Sequence, residues 1–275
     1  MMNQLKTTAK YLTAVLIALF ILTPLIWTLL SSLKPDTEIL RHSSRILPSR
    51  FVLTHYINLF KHTSFLSYFF NSVFAGMVAT PLTLIIAMPA AYSLTRFRYR
   101  GRNLYASFIL FSYMVPLLLL GIPMFIIMSY LHILNTRISL ILSYVAFSLP
   151  FSMWMLRSFF LSIPLSLEEA AMVDGASRLQ ALIRIVLPLS MPGLISCGIF
   201  TFVLVWNEYT LALLFIRSES LKTLPIGIAA FIGTTAYEWG YILSSIMMMT
   251  IPILFGFIFV QKALIRGFLV GATKG

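Results

Sequence analysis

Long charge-free runs divide this sequence. Between the ionisable Asp, Glu, Lys and Arg residues, the runs of at least 19 residues are 11–33, 62–95, 103–136, 138–156, 185–207 and 239–261. A transmembrane helix needs about 20 predominantly apolar residues to cross the hydrocarbon core of a bilayer. With 59% hydrophobic and only 10% charged residues, the chain is too apolar for a soluble domain. We therefore predict an all-α integral membrane protein with six transmembrane helices.

The six spans are expected within one transmembrane domain, residues 1–275. Their predicted bounds are about 11–33, 68–94, 104–131, 138–158, 188–216 and 239–262. The next longest charge-free run, 223–237, has only 15 residues and contains Pro and Gly, so we expect a re-entrant or surface-lying segment there. The first run is not a secretory signal, because its 23 residues exceed the length of a signal h-region and no small-x-small cleavage pattern follows.

Basic residues predict the orientation of these spans. If both termini lie in the cytoplasm, twelve of the twenty Lys and Arg residues fall on the cytoplasmic side, as the positive-inside rule requires. The cluster formed by Arg96, Arg98, Arg100 and Arg102 next to the second span decides the choice. We interpret this cluster as a topology anchor on anionic lipid rather than a nucleic-acid contact, and the net charge of +12 has the same explanation.

The sequence carries no motif of a catalyst. It contains no G-x-x-x-x-G-K-[ST] phosphate-binding loop and no G-x-S-x-G nucleophile elbow. Its four histidines show no metal-binding spacing, and its one cysteine, Cys197, lies in the fifth apolar run as a small hydrophobe. We therefore predict a chain that is not an enzyme and that binds no metal and no cofactor of its own.

Asn207 and Glu208 are the pair of polar residues that we consider most suited to line a substrate pathway. Glu208 is the only acidic residue that we place inside or at the edge of a span, and ionisable groups in spans usually face a cavity or a partner. We expect this pair to contact the solute or a docked binding protein, with structural pairing as the alternative. A proton-coupled carrier would need more buried charge than this.

The loop between the fourth and fifth predicted spans, about 159–187, carries the strongest local pattern. It is cytoplasmic in the orientation above. Gly175 divides it into two helical segments, the second ending near Pro188, and each segment begins with a capping-box pattern. The two boxes are Ser166 with Glu169 and Ser177 with Gln180.

Small side chains in the first of these segments would let a partner approach closely. Ala170 and Ala171 have little bulk, and the carboxylates of Glu169 and Asp174 beside them would pair with arginine on that partner. An ordinary amphipathic helix at the membrane surface is the alternative.

This loop resembles the EAA loop of binding-protein-dependent importer permeases, specifically the carbohydrate branch typified by the smaller maltose permease subunit. The matching residues of the loop are Glu169-Ala170-Ala171, Asp174-Gly175-Ala176 and Leu187-Pro188. Other landmarks cover nearly the whole chain: Asn71-Ser72, Ala90-Ala91-Tyr92, Arg96-Phe97, Trp206-Asn207-Glu208-Tyr209 and Gly271-Ala272-Thr273-Lys274-Gly275. Thr273 departs from the family pattern, which more often has Val there.

The resemblance implies specific contacts with an ATPase. The coupling helix that would dock in the ATPase subunit comprises Glu168, Glu169, Ala170, Ala171, Met172, Asp174, Gly175 and Ala176, with Pro188 completing the motif. The cytoplasmic C-terminal tail, 263–275, would reach into the ATPase dimer through Gly271, Lys274 and Gly275.

The resemblance also implies an assembly in a bacterial inner membrane. The expected partners are a second homologous permease subunit, two ATPase subunits that carry ATP and Mg²⁺, and an extracytoplasmic solute-binding protein. The expected function is import of a sugar or oligosaccharide. A polyol-phosphate importer of the same family and a stand-alone secondary carrier are the alternatives.

Overall fold

A computed structural model describes residues 2–41, 45–234 and 239–272 of the chain. All regular secondary structure in this part is helical. The helices are α1 (Met2–Ser32), α2 (Asp36–Arg41), α3 (Thr54–His62), α4 (Phe65–Arg96), α5 (Arg102–Met114), α6 (Leu117–Tyr130), α7 (Arg137–Ser162), α8 (Leu165–Val173), α9 (Arg178–Ala181), α10 (Leu187–Leu189), α11 (Met191–Trp206), α12 (Thr210–Phe215), α13 (Leu224–Thr234) and α14 (Trp239–Ala272). A π-helical segment (Leu182–Val186) and a 3₁₀ turn (Glu219–Leu221) complete the set.

Four helical segments among the described residues are long and apolar enough to cross a membrane. They are Thr7–Ser32, Phe65–Arg96, Arg137–Ser162 and Trp239–Ile258. Two bent helix pairs raise the number to six if each pair crosses the membrane once. The predicted all-α membrane fold is therefore confirmed, with between four and six spans.

The first bent pair, α5 with α6, occupies the predicted span 104–131. The two helices meet at 99°, because Val115 and Pro116 between them have extended backbone angles. Proline disfavours a helical conformation in the residue before it and supplies no amide hydrogen. The predicted span 104–131 is therefore bent sharply in the structure.

The second bend lies at Ser190, between the segment Arg178–Leu189 and α11, which meet at 77°. The Ser190 hydroxyl donates to the Val186 carbonyl at 2.5 Å, and Pro192 near the start of α11 has no amide hydrogen to continue the helix. The predicted span 188–216 is also interrupted after Trp206, before α12 begins.

The short run 223–237 contains helix α13, of eleven residues. This helix is shorter than a membrane crossing requires. Its side chains Leu224, Ile226, Ile228 and Phe231 are buried within the chain, whereas Ile232 is 67% exposed.

The chain divides into two compact units. The first comprises Met1–Leu66 and Gly227–Ile251, and the second comprises Ser67–Ile226 and Pro252–Gly275. In the first unit, the buried His55 ring bonds the Lys34 carbonyl at 2.8 Å. The same ring lies so close to Gly240 that a Cβ there would be 2.2 Å from it.

The second unit contains two apolar clusters. One is built around Tyr144 and Phe215, and the other around Leu156, Phe160 and Val186, all of them 1% exposed or less. The second cluster joins α4, α7, α11 and the segment that follows α8. It forms the base on which that segment rests.

Hydroxyl groups link the long helices of the second unit. Thr83 of α4 bonds Ser148 of α7 at 2.9 Å, and Ser152 of α7 bonds Thr201 of α11 at 2.8 Å. All four side chains are buried. Such hydroxyl contacts hold apolar helices in register where the hydrophobic effect between helices is weak.

Candidate functional site

The segment Leu165–Leu189, here called the elbow, contains the predicted coupling residues. Its first helix, α8, begins directly after Pro164, which takes the N-cap position without any side-chain cap. The fixed backbone angle of proline suits the start of a helix, where a missing amide hydrogen costs nothing. The predicted capping box of Ser166 with Glu169 is therefore wrong, since the helix already includes Ser166.

Gly175 ends α8 through its backbone. Its φ of +89° lies in the left-handed region, where residues with a Cβ are strained. The Gly175 amide donates to the Met172 carbonyl at 3.1 Å, and the Ala176 amide donates to the Ala171 carbonyl at 3.0 Å. This is a Schellman C-cap, and it confirms that the helix stops at Gly175.

The second capping box is confirmed. The Ser177 hydroxyl accepts from the Gln180 amide at 3.3 Å, and the Gln180 side chain accepts from the Ser177 amide at 2.8 Å. The helix that starts here continues through the π-helical segment and α10 up to Leu189, so Pro188 lies in its last turn. A π-helical insertion widens the helix locally and often marks a functional site.

All but one of the predicted coupling residues are exposed or half-buried. The exposed members are Glu169, Ala170, Asp174, Gly175 and Pro188, and the half-buried members are Ala171, Met172 and Ala176. Apart from the two neighbours of Gly175 in the chain, no side chain or backbone atom among the described residues comes within 4 Å of the place where a Cβ on Gly175 would lie. The surface around the Gly175 turn is therefore open to a partner.

Glu168 is the exception, because its side chain is only 2% exposed. Its carboxylate accepts from the Arg96 Nε at 2.5 Å and from the Tyr92 hydroxyl at 2.6 Å. The Nη2 of Arg96 also donates to the carbonyls of Phe160 and Ile163, both at 3.0 Å. The carboxylate thus binds groups of its own chain.

Sequence reasoning missed Arg96 and Tyr92 as parts of this site. Arg96 was predicted to be a lipid anchor, but its side chain is only 5% exposed, whereas Arg98 and Arg100 are exposed. One signal was available: Tyr92 and Arg96 are four residues apart at the end of a helix, so both face the same side.

A second contact ties the elbow to the end of α4. The guanidinium of Arg178, in α9, lies 5.4 Å from the centre of the Phe97 ring. The Phe97 ring in turn packs edge-on against Tyr92, with centroids 6.1 Å apart. Both segments of the elbow, before and after Gly175, therefore contact the same helix end.

The structure gives Asn207 and Glu208 separate surroundings. The buried carboxylate of Glu208 accepts from the backbone amides of Leu211 at 2.8 Å and Ala212 at 3.0 Å, so it caps the start of α12. Asn207 is exposed, and its side-chain amide donates to the Val203 carbonyl at 2.8 Å.

The predicted tail contact falls mostly outside the described residues. The backbone of α14 is helical to Ala272, which places Gly271 in its last turn. Lys274 and Gly275 lie beyond the described range.

Known proteins resemble this chain along most of its length. The sulfoquinovosyl glycerol transport system permease protein SmoH of Agrobacterium fabrum is 37% identical over 252 residues, which cover 92% of this chain and 88% of that protein. The trehalose/maltose transport system permease protein MalG of Thermococcus litoralis is 35% identical over 265 residues, 95% of each chain. A bacterial ABC transporter that imports the acidic polysaccharide alginate has a similar fold, with a TM-score of 0.76, 24% identity, and coverage of 94% of this chain and 96% of that one.

The family match includes the elbow and the long helices around it. Residues 79–269 match the family described as the binding-protein-dependent transport system inner membrane component. Together with the apolar helices, this makes the chain a multi-pass inner-membrane protein. The chain belongs to the binding-protein-dependent transport system inner membrane component family, the permeases of ATP-binding cassette transporters.

Proposed function

We propose that this chain is a translocating subunit of an ATP-driven sugar importer and that its elbow docks a separate ATPase subunit. The observation that carries the proposal is the accessible surface of α8 and the Gly175 turn. The buried Glu168 holds α8 in place through its contact with Arg96. A carbohydrate substrate is supported by the sugars named for the two sequence relatives. The chain itself does no chemistry in this proposal.

The docking surface has the shape and charge that such a contact needs. Ala170 allows close approach of a partner backbone, and the open space around Gly175 allows that partner to pass over the turn. Glu169 and Asp174 supply two exposed carboxylates at its rim. Charge-assisted hydrogen bonds from arginine on the ATPase would fix the direction of docking.

The proposed orientation places the elbow and both termini in the cytoplasm. Twelve of the twenty Lys and Arg residues then lie on the cytoplasmic side, which is the usual bias for inner-membrane proteins. ATP is a cytoplasmic nucleotide, so an ATPase subunit can reach the elbow only in this orientation.

Helix α1 presents an apolar surface that this chain does not cover. None of the most apolar 18-residue window of its span Thr7–Ser32 is buried inside this chain, and Phe20, for example, is 81% exposed. Lipid or another subunit must cover this surface. We propose a second homologous permease, two ATPase subunits that carry ATP and Mg²⁺, and an extracytoplasmic solute-binding protein as partners.

Two further contacts belong to the same proposal. Asn207 is exposed after α11, and in this proposal it contacts the solute or the binding protein, while Glu208 beside it caps the start of α12. The tail residues Gly271, Lys274 and Gly275 would reach the ATPase.

The experiment that tests the docking surface compares two glycines. Gly175 and Gly101 both have positive φ, +89° and +84°, so an alanine at either position is strained by about 1–2 kcal/mol. Only Gly175 lies in the docking surface. We expect Gly175→Ala to weaken ATPase binding about tenfold and Gly101→Ala to leave it unchanged, as measured by co-purification from membranes.

A charge variant at the same surface completes this test. Glu169→Lys reverses an exposed carboxylate, and we expect it to abolish both ATPase binding and uptake of a panel of labelled sugars. Normal ATPase binding by both Glu169→Lys and Gly175→Ala would contradict the docking proposal. Sugar uptake by the isolated chain without ATP would instead indicate a stand-alone carrier.

A further inference from the structure

The buried cluster beneath the elbow joins three helices at one guanidinium. Arg96 is the last residue of α4, it binds Glu168 of α8, and it donates to carbonyls at the end of α7. The last carbonyls of a helix have no partner within that helix, and a cation there also interacts favourably with the helix dipole. One side chain therefore satisfies the end of α7 and fixes α8 to α4.

Glu168 is the main anchor of α8 within the chain. It is the one buried residue among the nine of this helix, all of which the structure describes. Apolar side chains of α8 such as Leu165, Leu167 and Val173 are exposed, Val173 by 86%. Apolar burial therefore contributes little to the position of α8, whereas the ion pair fixes both its distance from α4 and its rotation.

The geometry of the pair restricts movement more than an apolar contact does. The carboxylate is held by two donors from α4, one full turn apart, since Tyr92 and Arg96 are four residues apart. The side chains of Arg96 and Glu168 are only 5% and 2% exposed. Separating them would leave a buried charge without a partner, which is strongly unfavourable.

We propose that Arg96, Glu168 and Tyr92 form a rigid joint that makes α8 and the adjacent end of α4 move as one body, so that movement of a docked ATPase reaches the membrane through α4. Arg96 and Glu168 are then positioning residues, distinct from the exposed residues that would touch the ATPase. This inference rests on the proposed docking function of the elbow. It assigns Glu168 a role different from that of its neighbour Glu169.

The joint is tested by a distance between two spin labels, which requires no knowledge of the solute. One label is placed at Leu165, the exposed first residue of α8, which lies before the coupling residues, and the other at Ile85 of α4, which is 60% exposed and about 16 Å along the helix from Arg96. The native Cys197 is fully buried and is replaced by alanine in the background. The distance is measured in the complex with its ATPase subunits, without nucleotide and with ATP and vanadate.

For the otherwise unchanged chain, we expect one narrow distance distribution that is the same in both nucleotide states. We expect Glu168→Gln to retain the ATPase subunits but to give a broad distribution, with a second population in the ATP state. Lys222→Gln, which removes the ion pair to Glu219 elsewhere in the chain, is the matched control and should keep the narrow distribution. A narrow, unchanged distribution in Glu168→Gln would overturn the joint.

A double variant keeps the test decisive if the single variant does not fold. Replacing both partners, Arg96→Met with Glu168→Met, leaves no unpaired charge and often preserves folding. We expect the broad distribution in this variant as well, and a narrow one would overturn the proposal. A failure of the docking proposal can be distinguished from a failure of the joint. If the elbow does not dock the ATPase, Glu169→Lys leaves the ATPase subunits bound, and this result does not depend on the distances measured in the Glu168 variants.

Discussion

The two ends of α4 are both held by a carboxylate from a distant part of the chain, but their surroundings differ. At the Arg96 end, the side chains of Arg96 and Glu168 are only 5% and 2% exposed. At the other end, Glu219 binds Tyr68 of α4 and Lys222. The Glu219 side chain is 57% exposed, so water competes for this second pair.

This difference indicates which end is fixed and which can rearrange. A buried ion pair resists separation because each charge depends on the other, whereas an exposed pair contributes little to stability and is screened by salt. At the exposed end, neutral hydrogen bonds contribute more to the contact than the ion pair does. The side-chain amide of Asn71 donates to the carbonyls of Ser220 at 2.8 Å and Lys222 at 3.0 Å.

The largest expected effect is the loss of unfolding free energy when the buried ion pair is broken, compared with the loss when the exposed pair is broken. Arg96→Met leaves the buried Glu168 carboxylate without its cation, and we expect a loss of about 3–5 kcal/mol in the free energy of unfolding. Lys222→Met at the exposed pair should cost less than about 1 kcal/mol. Thermal unfolding of the purified complex in detergent measures both, and equal losses would remove the distinction between the two ends.

A smaller effect is expected from hydrogen bonds at the exposed end. The buried Ser72 hydroxyl of α4 accepts from the Leu224 amide at the start of α13, at 2.7 Å. Ser72→Ala leaves that buried amide without its acceptor, which we expect to cost about 1–3 kcal/mol. Ser67→Ala is the control, because the exposed Ser67 hydroxyl makes only a long hydrogen bond of 3.4 Å to the Ser220 carbonyl, and it should change the unfolding free energy by less than about 0.5 kcal/mol. If both variants unfold alike, the Ser72 contact does not hold this end.

The smallest effect concerns pH. Hydrogen bonds from Lys222 and Tyr68 lower the pKa of Glu219 below its ordinary value of 4.5. A carboxyl group whose pKa is lower in the folded state stabilises the fold above its unfolded pKa, and this contribution is lost as the pH falls through the folded pKa. Because Glu219 is half exposed, its contribution is small. We expect the unfolding free energy of the wild type to exceed that of Glu219→Gln by less than about 1 kcal/mol at pH 6.

This advantage should disappear on acidification below pH 4.5 and should shrink in high salt. Unfolding free energies of the two proteins at pH 6 and in acid give the comparison. An advantage that grows as the pH falls would show that the ionised Glu219 is not the stabilising form.

The sequence predicted the local features of this fold well. Charge-free runs located the long helices, and Gly175 and the Ser177 box predicted how the elbow turns, because these patterns depend on residues a few positions apart. Local patterns failed where a nearby residue competed: Pro164 starts α8 before Ser166 can cap it, and Pro116 bends a run that composition alone made continuous.

The contacts beneath the elbow could not be predicted in the same way. Glu168 and Glu169 are identical side chains in adjacent positions, and only the packing of α8 on α4 distinguishes the buried one from the exposed one. Arg96 lies 72 residues before Glu168 along the chain, so no periodicity connects them. Its position in an arginine cluster predicted a lipid contact, and the structure corrected this for Arg96.

The most direct test of the account compares accessible positions near the two ends of α4 by photocrosslinking in intact membranes. A photoreactive side chain replaces Ala170 in the proposed docking surface or Ser220 beside the exposed ion pair, both of which are exposed. We predict that Ala170 crosslinks to the ATPase subunit and that Ser220 does not. A crosslink to the ATPase from Ser220, or none from Ala170 in an assembled complex, would contradict the claim that the elbow is the ATPase docking site.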